Sequence, residues 1–357
     1  MKTRKKTNGA EQIKIGGRLI SSHSPCFIIA EAGVNHNGSI KGAKKLIDAA
    51  KKSGTDAVKF QTFKTEELVT ERAPQAEYQK QNAKAKSQFA MLKKLELSES
   101  EFREIFKYCR KKKIIFLSTP FDEKSAQFLN DLGVPAFKIG SGDITNIPLL
   151  RTVAAFGKPV ILSSGMSTLT DVKEAVETIY KSGNRKLILL HCTSNYPTDI
   201  KNVNLRAMNT LRDRFKVPVG YSDHTIGIEV SLAAVAMGAC IIEKHFTLSR
   251  NMEGPDHKAS VEPDDFSNLV RNIRLIEKSF GDGVKKPTTS EKKIMIVARK
   301  SIVAARKIQK GEKIVSEMLN IKRPGGGIKP NEMGKLMGRE TLKDIGRDEV
   351  LLWKYLK

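Results

Sequence analysis

The sequence is poor in cysteine, has no long hydrophobic run and lacks an apolar signal segment. Four cysteines occur in 357 residues, widely spaced and in no C-x-x-C or Cys/His zinc pattern. We therefore expect free, buried thiols in a reducing compartment. No stretch approaches the roughly 20 apolar residues that a membrane-spanning helix needs, and no apolar core follows the basic residues 1–6. These absences predict a cytoplasmic protein without a membrane span.

Acidic residues are also comparatively scarce. Lys and Arg number 63 against 39 Asp and Glu, which gives a formal net charge of +24. Such a charge is compatible with nucleic acid or an anionic membrane as partner. However, the lysines are spread along the chain, without a long basic tail, an aromatic platform or a nucleic-acid motif. We predict neither partner, and a basic field that attracts an anionic substrate.

What the sequence does contain is a series of short apolar runs separated by helical patterns. The eight runs are 27–30, 57–60, 114–117, 136–139, 160–162, 187–190, 217–219 and 240–242. Continuous apolar runs are typical of parallel strands buried on both faces. Helical spacing is found between them, at 42–53, 170–181, 228–237 and 266–280. The alternation predicts a TIM (β/α)8 barrel over residues 1–282.

Residues beyond the barrel change in character. The polar stretch 283–293 predicts a linker, and 294–357 predicts a small β-rich domain with strands near 300–304 and 312–315. Within the barrel, the long connection 62–112 carries a Gln/Lys-rich segment before a helix that starts near Ser98. It predicts either a functional lid or a surface excursion.

Polar side chains follow nearly every apolar run, where a barrel carries its catalytic groups. His224 follows the seventh run and His245 the eighth, and these strands are neighbours in a closed barrel. Two imidazoles at adjacent strand ends predict a site for a divalent ion. With only two protein ligands, the ion keeps positions for water and substrate, which suits Lewis-acid chemistry on a carbonyl.

Lysines and acids also reach this rim. Lys59 and Lys138 end two runs, and a lysine there can form a Schiff base or hold an anion. Hydroxyls and glycine-flanked amides at neighbouring ends favour an anion with phosphate and carboxylate groups. The acids are candidates for sugar binding or proton transfer, although Asp223 is equally a candidate for orienting His224. They are Glu31, Asp143, Asp223 and Asp256.

Eight stretches, considered together, are highly specific. They are AEAGVNHNG at 30–38, VKFQT at 58–62, STPF at 118–121, FKIGSG at 137–142, LSSGM at 162–166, HCTSNYP at 191–197, SDHT at 222–225 and EKHFT at 243–247. With them the chain resembles the sialic acid synthase family over residues 13–357. The resemblance implies condensation of phosphoenolpyruvate (PEP) with N-acetylmannosamine to N-acetylneuraminate and phosphate. It also implies that the C-terminal domain is of the antifreeze-like (SAF) type.

The resemblance further implies roles for single residues. His224 and His245 match the ligands of a catalytic Mn2+ or Mg2+, and the mechanism that the resemblance implies has Glu31 or Asp143 as the catalytic carboxylate that positions or deprotonates the attacking water. The PEP pocket would comprise Lys59, Gln61, Thr119, Lys138, Ser141, Ser163 and Ser222. The sugar site would comprise Glu31, Tyr196, Asp256 and Arg323, the last reaching into the partner subunit of a domain-swapped homodimer. Asp143 departs from the family pattern, which often has Glu there.

Other functions stay open at this point. A synthase of N,N'-diacetyllegionaminate or pseudaminate would use the same chemistry on a diacetamido-trideoxyhexose. A Schiff-base aldolase would use Lys59 or Lys138 and would be trapped by borohydride. A basic binding protein would explain the charge, but it would leave the polar residues at eight strand ends without a purpose.

Overall fold

The structure is a computed structural model that describes residues 13–76, 80, 82 and 85–357. These residues form two compact units that divide between Phe280 and Gly281. Among the described residues, no helix is long and apolar enough to cross a membrane. The four cysteines are free and buried, as the sequence predicts.

The first unit is a (β/α)8 barrel preceded by a hairpin. Strands β1 (Ile13–Ile15) and β2 (Arg18–Ile20) form the antiparallel hairpin. The barrel strands are β3 (Phe27–Gly33), β4 (Ala57–Thr62), β5 (Ile115–Pro120), β6 (Phe137–Ile139), β7 (Val160–Ser163), β8 (Leu187–Cys192), β9 (Val219–Asp223) and β10 (Ile241–His245). All hydrogen-bonded pairs among them are parallel, in the order β5-β4-β3-β10-β9-β8-β7-β6, and β5 lies beside β6 to complete the ring. Each predicted apolar run overlaps one strand, so the predicted barrel is confirmed.

Helices connect the strands on the outside of the barrel. They are α1 (Ile40–Lys52), α2 (Thr65–Leu68), α3 (Gln88–Leu95), α4 (Glu99–Lys112), α5 (Glu123–Leu132), α6 (Ile147–Ala155), α7 (Leu169–Lys181), α8 (Ala207–Phe215), α9 (Glu229–Ala236) and α10 (Pro263–Ser279). The predicted start of α4 near Ser98 is confirmed by a capping box, in which Ser98 and Glu101 satisfy each other's backbone N–H groups. The long connection contains α2 and α3, which were not predicted. Part of its Gln/Lys-rich segment, at 77–79, 81 and 83–84, lies outside the described residues.

Alternation within each apolar run decides which residues reach the barrel interior. Ile28, Val58 and Phe137 pack outward in a large cluster with the helices. Ile29 and Ala57 belong instead to a separate apolar cluster, which includes the hairpin residues and forms a floor inside the barrel. We call this cluster the barrel floor. Its members are Ile13, Ile15, Ile20, Phe27, Ile29, Ala57, Leu117, Ala136, Ile161, Ile188, Leu190, Cys240 and Ile241.

The second unit has its own small core and only short strands. It contains α11 (Thr289–Ala298), β11 (Ser301–Ala304) and β12 (Leu319–Lys322), the strands being antiparallel. The predicted linker 283–293 therefore overlaps the start of α11. The predicted strand 312–315 is wrong: Lys313 makes one isolated bridge to Glu340, and the chain then enters a turn at 316–318. Ile314 is the one buried residue of the segment 312–315. It anchors the segment in the core, but the backbone hydrogen bonds do not continue as a strand pair.

Candidate active site

The polar residues one step above the barrel floor line a cavity of about 520 Å³ at the carboxyl ends of the strands. Glu31 stands two residues after Ile29, and Lys59 two residues after Ala57, so both continue the inward direction. Twelve of the predicted site residues line this cavity: Glu31, Lys59, Gln61, Thr119, Lys138, Ser141, Ser163, Tyr196, Ser222, His224, His245 and Asp256. The barrel thus brings together groups from all eight strands or the loops that follow them.

One wall of the cavity carries two buried lysines and two buried carboxylates. Lys59 Nζ lies 2.8 Å from Glu31 Oε2 and donates to Thr119 Oγ1 at 3.1 Å. Glu243 lies between the lysines, with Oε2 3.7 Å from Lys59 Nζ and Oε1 3.4 Å from Lys138 Nζ. The two cations are therefore held on either side of one carboxylate.

Burial and charge together set the protonation of this cluster. Burial lowers the pKa of Lys138. Burial acts in the same direction on Lys59, but Glu243 and Glu31 raise its pKa above the ordinary value. Burial raises the pKa of Glu31 to about 7, whereas the two lysines hold the pKa of Glu243 below its ordinary value despite burial. Glu31 therefore titrates near neutral pH, where a general acid or base works best.

Sequence reasoning missed Glu243 as a site residue. It follows Ile241, a barrel-floor residue, by two positions, the same step that places Lys59 and Lys138 in the cavity. Ser222 Oγ on the neighbouring strand donates to Glu243 Oε1 at 3.1 Å. Counting positions within the last apolar run would have identified Glu243.

The two histidines stand at the ends of β9 and β10, and His245 follows Glu243 by two positions on the same face of β10. Their ring centroids lie 5.3 Å apart, and the Tyr196 ring lies 4.3 Å from that of His224 and 5.5 Å from that of His245. His224 Nδ1 lies 2.8 Å from the carbonyl oxygen of Thr193. A carbonyl accepts, so this contact assigns the proton to Nδ1 and leaves the Nε2 lone pair available.

These side chains fit a divalent ion. His245 Nδ1 is buried and has no hydrogen-bond partner in the described part of the chain. The nearest carboxylate oxygen to it, Asp256 Oδ2, is 4.0 Å away, and burial raises the pKa of that acid to about 6. Two imidazoles with available lone pairs suit borderline metal ions. No group of three or more His, Cys, Asp or Glu side chains arranged to hold a metal occurs among the described residues.

Comparison with known proteins agrees with this geometry. The model of the NeuB family matches residues 46–285, and that of the SAF domain matches residues 299–357. The chain belongs to the NeuB family. The match to the SAF domain confirms the predicted type of the C-terminal domain.

Relatives of this NeuB-family chain cover nearly its full length. It is 49% identical to the N,N'-diacetyllegionaminic acid synthase of Campylobacter jejuni, over 91% of the chain and 98% of the relative. It is 36% identical to the human N-acetylneuraminate-9-phosphate synthase, over 94% of each chain. The crystal structure of N-acetylneuraminic acid synthetase from Leptospira borgpetersenii matches with a TM-score of 0.72 and 38% identity, over 80% of this chain and 95% of that one.

Two carboxylates predicted at the rim of the NeuB-family barrel point elsewhere. Asp143 lies on the short turn Ser141–Asp143 after β6 and accepts a hydrogen bond from Asn146 Nδ2 at 3.1 Å. It is not among the described residues that line the cavity, so its catalytic role stays a prediction. The Asp223 carboxylate makes no hydrogen bond to the His224 ring, because Thr193 occupies Nδ1 and the Asp223 carboxylate accepts from other groups behind the strand.

Arg323 belongs to the second unit. It follows β12 directly and its side chain is exposed. Its role in the sugar site therefore stays a prediction.

Proposed function

We propose that this NeuB-family chain condenses PEP with an N-acetylated amino sugar, giving a nine-carbon 2-keto acid and phosphate. Its named relatives are nonulosonic acid synthases, which form carbon–carbon bonds. The observation that carries the proposal is that one cavity holds both the buried lysines with their carboxylates, which we call the lysine wall, and the paired histidines, which we call the histidine wall. The first suits an anion and the second suits activation of a carbonyl.

The lysine wall suits PEP, which carries a phosphate and a carboxylate. Lys59 and Lys138 supply two buried cations, and Thr119 and Ser222 already bond to the charged cluster. Ser163 Oγ is buried and lacks a hydrogen-bond partner within the described residues, so it is available to a bound ligand. Burial strengthens each of these contacts because the local dielectric is low.

The histidine wall suits the aldehyde of the open-chain sugar. Mn2+ or Mg2+ bound by His224 and His245 would polarise the aldehyde carbonyl as a Lewis acid. The methylene carbon of PEP, held by the lysines, then attacks that carbonyl carbon and forms the new C–C bond. Water adds to C2 of the former PEP and gives a tetrahedral intermediate, whose hydroxyl then loses its proton as the C2 carbonyl forms and the C–O bond to phosphate breaks. The two protons of the water end on the former aldehyde oxygen, which becomes a hydroxyl, and on phosphate. Glu31, whose pKa of about 7 lets it exchange protons at neutral pH, accepts the proton from that water.

Two acceptor sugars are candidates. The sequence predicts N-acetylmannosamine, and the 36–38% identity to the sialic acid synthases supports it. The 49% identity to a diacetyllegionaminic acid synthase favours 2,4-diacetamido-2,4,6-trideoxymannose instead. We place the diacetamido sugar first because this relative is more similar to the chain.

We also propose the homodimer in which Arg323 enters the partner's cavity. Helix α11 supports it, because no residue of this helix is buried within its unit. Ile294, Ile296 and Val297 are each about 60% exposed, an apolar surface that a second chain can cover. Light scattering of the purified protein measures its mass, and a monomer would contradict the proposal.

The test is phosphate release from PEP by the purified protein with Mn2+, using each sugar separately, with and without EDTA. Release with the diacetamido sugar, lost in EDTA, supports the first candidate and the metal together. Release mainly with N-acetylmannosamine supports sialic acid synthesis. Release with the pseudaminate precursor alone would move the product to pseudaminate. Trapping of the protein by borohydride with a carbonyl substrate, without need for metal, would support the aldolase instead.

A further inference from the structure

A buried ion pair lies directly behind the two histidines, on the outer side of the barrel wall. Lys244 Nζ lies 2.8 Å from Asp223 Oδ2, and both side chains are at most 1% exposed. Asp223 immediately precedes His224, and Lys244 immediately precedes His245. Side chains alternate along strands, so the pair faces away from the cavity while the histidines face into it.

The hydrogen bonds of this pair converge on the backbone around His224. Asp223 Oδ1 accepts from the backbone N–H of Thr225 at 2.9 Å and from its hydroxyl at 2.7 Å. Lys244 Nζ donates to the Thr225 carbonyl at 2.8 Å. Ser231 Oγ of α9 donates to Asp223 Oδ2 at 2.6 Å. The residues on both sides of His224 are thus tied to the residue before His245.

Stability alone does not account for this arrangement. Replacing a buried ion pair with apolar residues is often neutral or stabilising, because burying two charges is costly. A pair that ties the turn carrying His224 to the residue before His245 has a geometric effect that an apolar pair would lack. Partners behind metal ligands orient those ligands and affect metal affinity.

We infer that Lys244 and Asp223 are positioning residues, which set the separation and direction of the His224 and His245 imidazoles. Lys244 links the ends of β9 and β10, and Asp223 fixes the turn that leads from β9 to α9. Neither residue touches substrate or ion. The inference rests on the proposed function, in which the histidines bind the ion.

The experiment measures the dissociation constant of Mn2+ from the full-length protein, by titration with electron paramagnetic resonance of the free ion. Lys244→Met removes the tie between the strands, and we expect Mn2+ to bind about 10–100-fold more weakly. Because this variant leaves Asp223 as an unpaired buried charge, the double variant Asp223→Asn/Lys244→Met is measured beside it. The amide oxygen that replaces the carboxylate can still accept from Thr225, but the tie to β10 is absent, so we expect the same weakening.

Arg274→Met is the matched control. Arg274 Nη2 lies 3.1 Å from Asp56 Oδ2, and Asp56 precedes β4, at the end of the barrel away from the cavity. Its loss also breaks a partly buried ion pair, but we expect unchanged Mn2+ affinity. Urea unfolding of each variant separates a lower global stability from a local change.

The outcomes separate the inference from the proposed function. Wild-type affinity for Mn2+ in the folded double variant would overturn the inference alone. Mn2+ binding that is equally strong in wild type and His224→Ala would overturn the ligand assignment and the inference together. Weakening in both Lys244 variants, but not in Arg274→Met, would support the positioning role.

Discussion

Glu243 provides the sharpest test of the lysine wall. Its carboxylate lies 3.4 Å from Lys138 Nζ and 3.7 Å from Lys59 Nζ. At an effective dielectric of about 20, a unit charge at these distances stabilises each lysine cation by roughly 4–5 kcal/mol. That energy corresponds to a pKa difference of at most about 3–4 units. Glu243→Gln removes this charge while preserving the size of the side chain.

We expect the pKa of Lys138 to fall furthest in this variant. Burial already lowers it, and Lys59 keeps Glu31 as a second carboxylate at 2.8 Å. A lysine with a lower pKa loses its proton at a lower pH. PEP binds while the lysine is charged. As the pH rises, the variant therefore loses PEP binding at a lower pH than the wild type does.

The assay is kcat/KM for PEP against pH, since this ratio reports ionisations of the free enzyme. We expect the alkaline limb of the Glu243→Gln profile to move to lower pH by on the order of 1–3 units. Glu104→Gln, which removes a surface carboxylate paired with Lys44, is the control and should keep the wild-type limb. An alkaline limb that coincides with wild type in Glu243→Gln would refute the electrostatic reasoning.

Four further predictions concern the barrel and the site. Gly220→Ala should destabilise the protein by about 1–3 kcal/mol in urea unfolding, because its Cβ would stand 2.5 Å from the Ile241 carbonyl oxygen; an unchanged midpoint would contradict this. Ser98→Ala should cost about 1 kcal/mol in the same assay through loss of the α4 cap, and no loss would contradict the cap. His224→Ala should abolish turnover, and near-normal kcat with bound metal would argue against the ligand assignment. Arg323→Ala should raise KM for the sugar more than KM for PEP, and unchanged sugar kinetics would disprove its contact.

The barrel was predictable because each buried parallel strand needs an apolar run. The run 57–60 and the strand Ala57–Thr62 begin at the same residue. The run 217–219 shares only Val219 with its strand, Val219–Asp223. That strand continues through Gly220, Ser222 and Asp223. Because these side chains are small or polar, a search for apolar runs does not detect this part of the strand. The site forms at the polar ends of the strands. Strand boundaries were therefore hardest to predict from the sequence at the positions that carry the functional residues.

The sequence predicted which residues line the site more completely than it predicted the contacts between them. Residue type and strand position were enough to place His224, His245, Lys59 and Lys138 in one cavity. Which carboxylate pairs with which lysine cannot be read from residue type, and Glu243 was missed although its position in the last apolar run directs it into the cavity. Asp223 shows the same limit, because one position along the strand moves a side chain to the opposite face.

The hairpin at 13–20 has a consequence for chemistry that takes place far above it. Ile13, Ile15 and Ile20 help to seal the barrel floor, and the charged cluster stands on the layer above. The floor excludes water from the lower end of the barrel. The effective dielectric around the lysines therefore stays low, and their charges are less screened. A variant that lacks the residues up to Ile20 would lose the hairpin. Solvent would then enter under Lys59 and Lys138, although no group proposed to touch PEP has been removed. The strength of the lysine wall is therefore partly a property of a hairpin that the substrate never meets.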